Sequence, residues 1–437
     1  MNIYIETYGC QMNFADSEVV ASILSKEGYS FVTDIEKADF VLINTCAIRD
    51  NAEQRIRKRL RELMALQNRR RQLRIGILGC MAERLQSQLM VEETNVSFVV
   101  GPDAYRSLPD ILARVRAGER SAATELSTEE TYGDIEPLRY GSNGISAYIS
   151  IMRGCQNYCA YCVVPYTRGR ERSRNPQTIV DEARRLFDEG YKEVTLLGQN
   201  VNSYRWEDGK VPFPELMARV AQIDPSLRVR FATSHPKDLS DDLISVMASY
   251  DNICKSIHLP LQSGSDRMLK LMNRHYDSAW YLERVDAIRR SMPDCSITTD
   301  VIAGFCTETE ADHQATLDIF RKVRYDYAYM FKFSMRPNTY AAKHLADDVP
   351  DDVKTRRLEE IIALQGEVAL ENNRLDVGKV FRVLAEGESH RSKEQLFGRN
   401  SQNKVVVFDR KAVVPGQYVD VRVVDCTAAT LKGQLVE

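Results

Sequence analysis

The chain has 437 residues, and at one domain per roughly 150 residues that length suggests three domains, each able to bury its own core. Hydrophobic residues make up 43% and charged residues 28%, a balance that excludes disordered and fibrous classes. The formal net charge of -3 averages over blocks of opposite sign and excludes little by itself.

No stretch approaches the roughly eighteen uncharged apolar residues of a membrane helix. Met1 to Glu6 carries neither the basic nor the apolar segment of a signal peptide. A cytoplasmic protein without a membrane partner is therefore expected. In a reducing compartment the ten cysteines point to metal or catalytic work rather than disulfides.

In chain order, the first 118 residues alternate β-like runs with amphipathic stretches. Ile3 to Thr7, Phe40 to Asn44, Ile75 to Leu78 and Phe98 to Val100 read as strands. Asp16 to Lys26, Arg49 to Leu66, Glu83 to Met90 and Tyr105 to Val115 read as helices, the first and last closed by Gly28 and Gly118. Strict alternation predicts an open, doubly wound α/β domain with a parallel sheet over residues 1–118. Glu119 to Glu136 holds six acidic residues against one basic, so residues 119–144 are expected to form an exposed acidic linker.

Over residues 145–373 the alternation restarts. Strands are predicted near Ala147 to Met152, Glu193 to Leu197, Arg228 to Ala232, Ser256 to Leu259, Ile297 to Ile302 and Tyr327 to Phe333. The clearest helix, Asn175 to Glu189, has Asn175 as cap, Pro176 in its first turn and Gly190 beyond its end. Such βα units suit either a partial (β/α) barrel or a second doubly wound sheet, and in both the loops after the strands collect function.

A long polar helix, Asp351 to Asn373, leads to residues 374–437. There Val380 to Leu384, Val405 to Phe408, Tyr418 to Val424 and Leu431 to Val436, separated by Gly387, Gly398 and Pro415-Gly416, predict a small antiparallel β-barrel. Ten basic against eight acidic residues over 376–437 favour RNA binding and plain solubility about equally.

The strongest chemical signal is Cys155-Gln156-Asn157-Tyr158-Cys159-Ala160-Tyr161-Cys162. Thiols at this spacing, in the loop after the first central strand, can hold three irons of a 4Fe-4S cluster and leave the fourth open to a ligand. A closed zinc site would need a fourth ligand, and Cys254, the next cysteine, lies more than ninety residues away. Cys10, Cys46 and Cys80 each follow one of the first three major strands, which places them at one edge of a parallel sheet. Gly9 and Gly79 beside them permit close backbone approach, and a second open-site cluster is predicted there. Cys254, Cys295, Cys306 and Cys426 lack partners at useful spacing and read as structural.

The Cys155 to Cys162 spacing resembles the radical S-adenosylmethionine superfamily. Its pairing with a second cysteine set and a C-terminal small barrel resembles the methylthiotransferases over nearly the whole chain. Four strings carry the likeness: Tyr8-Gly9-Cys10-Gln11-Met12-Asn13, Cys162-Val163-Val164-Pro165-Tyr166-Thr167-Arg168-Gly169-Arg170 with Glu171 to Arg174, Gly198-Gln199-Asn200-Val201-Asn202-Ser203-Tyr204, and His258-Leu259-Pro260-Leu261-Gln262-Ser263-Gly264-Ser265. One departure is Gly304-Phe305-Cys306-Thr307-Glu308, where the family usually has Pro-Gly after the Phe; Cys306 is given no ligand role.

The resemblance implies a partial (β/α)6 barrel in the centre and a TRAM-like RNA-binding barrel at the C-terminus. It implies two 4Fe-4S clusters, one on Cys155, Cys159 and Cys162 and one on Cys10, Cys46 and Cys80. S-adenosyl-L-methionine contacts are expected from Gly198, Gln199, Asn200, Ser234, His235, His258, Gln262 and Asp300. Each also has an ordinary explanation, as a backbone partner, helix cap or ion pair.

In the implied chemistry one S-adenosylmethionine gives a methyl to sulfur and a second yields a 5′-deoxyadenosyl radical. An isopentenyl-type adenosine beside the tRNA anticodon then gains a methylthio group at carbon 2. The implied partners are the tRNA anticodon loop and an electron donor such as a flavodoxin or ferredoxin. The rival functions are methylthiolation of a ribosomal-protein aspartate and, from another class, a non-catalytic RNA-binding protein with structural zinc.

For RNA contact, residues 55–74 hold nine Lys or Arg against Glu62 alone, with Ile56, Leu60 and Leu63 on the opposite helical face. Arg55, Arg57 and Arg59 are candidates there, and Arg168, Arg170, Arg172 and Arg174 form a second basic run. Tyr204 and Trp206 suit either base stacking or core packing.

Overall fold

The computed structural model describes residues 1–46, 50–207 and 209–436. The first domain is a sheet of six parallel strands: β1 (Asn2–Thr7), β2 (Ser30–Phe31), β3 (Phe40–Thr45), β4 (Arg74–Gly79), β5 (Val96–Val100) and β6 (Ser121–Ala123), in spatial order β2-β1-β3-β4-β5-β6. Phe40-Val41-Leu42-Ile43 shows why it is doubly wound. Successive side chains in a strand point to opposite faces, and here Phe40 and Leu42 enter one core while Val41 and Ile43 enter the other.

The predicted strands of this domain are all present. The predicted helix over Glu83 to Met90 is two, Cys80–Leu85 and Ser87–Glu92, broken at Gln86, whose φ of 51° lies in the left-handed region. The acidic segment is not an exposed linker: β6 adds to the sheet beside β5, and Tyr132 and Ile135 are buried in the first core.

The central region opens with β7 (Ser146–Ser150) and two short strands, β8 (Met152–Arg153) and β9 (Arg172–Ser173). There follow β10 (Glu193–Leu197), the small hairpin β11 (Arg205–Trp206) and β12 (Val211–Pro212), then β13 (Arg228–Ala232), β14 (Ser256–His258), β15 (Ser296–Ala303) and β16 (Tyr327–Lys332). β7, β10 and β13 make one parallel sheet and β14, β15 and β16 another. A parallel bridge between Val229 and Ile253 joins them, so six strands curve into a partial barrel. Helix Pro176–Asp188 starts as the sequence predicts, with the Asn175 side chain accepting the Gln177 N–H. Helix Gln11–Lys26 of the first domain closes against this barrel: Met12 and Ala15 pack on Leu197, with Tyr148 and Ala232 alongside.

After helix Asp351–Arg374, the chain forms a closed barrel of β17 (Val380–Ser389), β18 (Ser392–Arg399), β19 (Val405–Asp409), β20 (Tyr418–Cys426) and β21 (Leu431–Leu435). Two expectations change here. β19 and β21 pair in parallel, so the barrel is mixed, and β18 is a strand that the sequence reading passed over. Gly387 and Gly398 lie inside strands rather than between them; a Cβ on Gly398 would sit 2.0 Å from the Leu384 carbonyl oxygen. The barrel is fastened to the central domain by Arg228, which donates to the Arg399 carbonyl at 2.7 Å, and by Arg230, which donates to that of Asn400 at 2.7 Å.

Candidate functional site: two cysteine sets and their arginines

Cys10 and Cys80 begin or precede the helices that follow β1 and β4, and Cys46 follows β3, so the sheet brings all three to its carboxyl edge. Gly9 and Gly79 have φ of 135° and 87°, and a Cβ would sit 2.6 Å from the Cys46 Cβ at Gly9 and 2.5 Å from the Asn44 Oδ1 at Gly79. Only glycine fits both requirements. Asn13 closes the arrangement: its Oδ1 accepts from Cys10 Sγ at 3.3 Å, and its Nδ2 donates to Asn44 Oδ1 and the Thr45 carbonyl. A hydrogen bond from the Cys46 thiol, with help from the nearby Arg168 guanidinium, lowers Cys10 to about 6. Burial pushes Cys80 up.

The second set lies in the loop between β8 and β9. These strands pair antiparallel, Met152 with Ser173 and Arg153 with Arg172, and so pin the loop at its base. At Gly154, φ is 78° and a Cβ would meet the Arg170 carbonyl at 1.9 Å, which fixes glycine before Cys155. Burial raises Cys155 to about 11 and Cys162 further. Arg274, which no sequence pattern singled out, donates to Cys159 Sγ at 3.2 Å.

The two sets meet. Val163, the residue after Cys162, packs on Cys80 in one small buried cluster. Arg168, six residues beyond Cys162, donates its Nε–H to Cys80 Sγ at 3.2 Å. Arg336, in the loop after β16, lies within electrostatic reach of Cys46. Thiols on glycine-lined loops, each set touched by a guanidinium, fit an iron–sulfur group at either position. Cys254 and Cys295 are buried elsewhere, and Cys306 packs with Phe305, Met268 and Phe333. The departure at Gly304 is absorbed locally, with Thr307 at φ 63° and the Glu308 side chain accepting the Gly304 N–H.

Residues expected to touch S-adenosylmethionine collect at the carboxyl ends of the barrel strands. Gly198, Gln199 and Asn200 follow β10, Ser234 and His235 follow β13, His258 ends β14, and Asp300 lies in β15. Buried Gln199 Oε1, Asn200 Oδ1, Ser234 Oγ and His235 Nε2 have no partner among the described residues. Unpaired buried polar atoms are costly, and four together suit a polar ligand.

Burial, Arg274 and Lys237 hold His235 neutral. Its Nδ1 accepts the Lys237 N–H at 3.3 Å, which leaves the ring proton on Nε2 as a donor. His258 and Asp300 face each other at 3.4 Å, and the Gln262 backbone pairs with Asp300.

The expected RNA contacts are rearranged. Arg168, Arg172 and Arg174 are buried and bound to Asp16, Asp103 and Glu182, which withdraws them from RNA; Arg170 alone of that run is exposed. Arg57 is held by Glu53, Glu92 and Glu93, and Arg59 by Glu6 and Glu62. Arg55 is exposed and stands over the Tyr8 ring. Tyr204 is buried, donating to the Arg174 carbonyl, and Trp206 packs against the central core. The exposed aromatic rings flanking the cysteines in sequence are instead Phe14, Tyr158 and Tyr166.

Comparison with known proteins agrees with this layout. The model of the uncharacterized protein family UPF0004 matches residues 2–101, that of the radical SAM superfamily matches 149–320, and that of the TRAM domain matches 374–436. In fold the chain is similar to a radical S-adenosylmethionine methyltransferase, TsrM, from Kitasatospora setae (TM-score 0.59, 14% identity, 78% of this chain and 75% of that one). These matches define the class, a radical S-adenosylmethionine enzyme with an added N-terminal domain and a TRAM barrel.

Along its length the chain is 57% identical to a tRNA-2-methylthio-N(6)-dimethylallyladenosine synthase of Phocaeicola vulgatus, over 99% of this chain and 96% of that protein. It is 54% identical to the protein of the same name in Porphyromonas gingivalis, over 100% and 95%. The chain belongs to the family of tRNA-2-methylthio-N(6)-dimethylallyladenosine synthases.

Proposed function

We infer that this enzyme adds a methylthio group to carbon 2 of an adenosine in tRNA that already bears an isopentenyl-type group on its amino nitrogen. One observation carries the inference: full-length identity of 57% to a synthase named for that product. The adjacency of the two cysteine sets supports it, because sulfur and radical must reach the same carbon.

Cys155, Cys159 and Cys162 would hold a 4Fe-4S cluster, and Cys10, Cys46 and Cys80 would hold a second. When bound, the first supplies one-electron cleavage of S-adenosylmethionine and the second supplies sulfur for transfer. Every other requirement falls to the chain. Gln199, Asn200, Ser234 and His235 present unpaired polar atoms that orient the cosubstrate, His235 through its Nε2–H. Met12, Ala15 and Leu197 form a small apolar contact that closes the first domain on the barrel.

The target adenine must leave its stack to reach these groups, which suits an anticodon loop. Exposed Lys58, Arg61 and Arg170 meet phosphates, and the TRAM barrel extends the RNA surface. Residues 1–118, 145–373 and 374–437 act as sulfur-delivering, radical and RNA-binding parts, with a low-potential flavodoxin or ferredoxin as cytoplasmic electron donor. Among the described residues no helix is long and apolar enough to cross a membrane.

The test is anaerobic incubation of reduced enzyme and S-adenosylmethionine with tRNA bearing or lacking the isopentenyl group, followed by mass spectrometry of its nucleosides. The expected result is a gain of one sulfur and one methylene on the isopentenyl adenosine alone. The same gain on a ribosomal protein instead, or colourless zinc-loaded enzyme with no product, overturns the reading.

A further inference from the structure

Arg168 belongs to the radical domain, yet its side chain ends in the N-terminal one. It is 3% exposed, and two of its three guanidinium nitrogens are engaged. Nε donates to Cys80 Sγ at 3.2 Å, Nη2 donates to Asp16 Oδ2 at 2.8 Å, and buried Nη1 has no partner among the described residues. Asp16 is wholly buried and is shared with Arg153; Arg153 also approaches Asp103, which holds Arg172 through two bonds of 2.8 and 3.0 Å.

Arg153, Arg168 and Arg172 face Asp16 and Asp103. Arg168 reaches past Asp16 to the sulfurs of Cys10 and Cys80, and Cys80 takes its Nε–H. A thiol that coordinates iron is deprotonated, so a coordinating Cys80 gives the buried guanidinium a partner of opposite sign. Hydrogen bonds to cluster sulfurs are among the levers that set an iron–sulfur potential.

We propose that Arg168 is a positioning residue of the auxiliary centre: from the radical domain it donates to the Cys80 sulfur, fixes that ligand and raises the reduction potential of the cluster it holds. The proposal rests on the reading of Cys10, Cys46 and Cys80 as cluster ligands. Asp16 orients the guanidinium, so the loop that carries Cys155, Cys159 and Cys162 and the ligand set of the other domain are tied through one side chain.

The test uses full-length protein in which Cys155→Ala, Cys159→Ala and Cys162→Ala remove the first cluster, reconstituted anaerobically. Iron and sulfide content is measured first, then the reduction potential by redox titration followed with electron paramagnetic resonance. With Arg168 intact, the protein should bind one cluster; absence of iron there overturns the ligand reading and the proposal with it. With iron present, Arg168→Gln should shift the potential to more negative values and alter the resonance spectrum, and Arg168→Lys should fall between. Lysine keeps the ion pair with Asp16, so it decides the matter if the glutamine variant fails to fold. An unchanged potential and spectrum in a folded, iron-loaded variant overturns the role of Arg168 and leaves the ligand reading standing.

Discussion

Asp16 takes hydrogen bonds from Arg153 and Arg168 at a point where water does not reach. Removing one partner of such a pair costs far more than the pair's net contribution, because charges are left buried without compensation. Asp16→Ala should therefore lower stability by about 3–5 kcal/mol, read as a lower urea midpoint of the unloaded protein.

Glu83 gives the opposite lesson. Burial pushes it from 4.5 to about 8, and its Oε2 has no partner among the described residues. The folded state holds a proton there that the unfolded state releases, so this residue costs increasing stability as pH rises from 4.5 to about 8. Glu83→Gln, which cannot ionise, should raise the thermal midpoint more at pH 8 than at pH 5. Neither role was legible in the sequence. A charge count over a window ignores partners distant along the chain, and so Arg168, Arg172 and Arg174 looked like an RNA-facing run when Asp16, Asp103 and Glu182 bury them.

At the scale of elements, helix Asp50–Arg69 shows the same limit within a single segment. Its apolar stripe of Ile56, Leu60 and Leu63 is buried as the periodicity predicts. Its basic face is divided, because Glu6, Glu53, Glu92 and Glu93 take up Arg57 and Arg59 while Lys58 and Arg61 stay exposed. Lys58→Ala with Arg61→Ala should weaken tRNA binding and lower its salt dependence by about two phosphate contacts, measured as the slope of affinity against salt. Arg57→Ala with Arg59→Ala should change that slope less.

Strands were legible where an apolar run ended in turn residues, as in β10 and β13, whose bounds agree residue for residue. β2 and β6 are too short to carry a period, and β18 was hidden because Gly398 looked like a break. There the glycine is required by the Leu384 carbonyl lying against it, so Gly398→Val should disrupt the small barrel. The loss should appear as a lower thermal midpoint and weaker tRNA binding.

At the scale of the whole molecule, the six cysteines were legible because strand order alone places Cys10, Cys46 and Cys80 at one edge, and the Cys155 to Cys162 spacing is local. What joins them was not legible. The contact of Val163 with Cys80, the reach of Arg168 across the domain boundary and the closure of helix Gln11–Lys26 on the barrel all depend on how two domains dock. Docking also immobilises the TRAM barrel, since Arg228 and Arg230 place their guanidiniums on its backbone carbonyls.

Separate tasks for the two cysteine sets are the central proposal. The most direct measurement is S-adenosylmethionine cleavage by reduced enzyme carrying Cys10→Ala, Cys46→Ala and Cys80→Ala, with 5′-deoxyadenosine and tRNA product quantified together. The expected result is 5′-deoxyadenosine formation without methylthio product. Loss of cleavage as well, or methylthio product still formed, would contradict it.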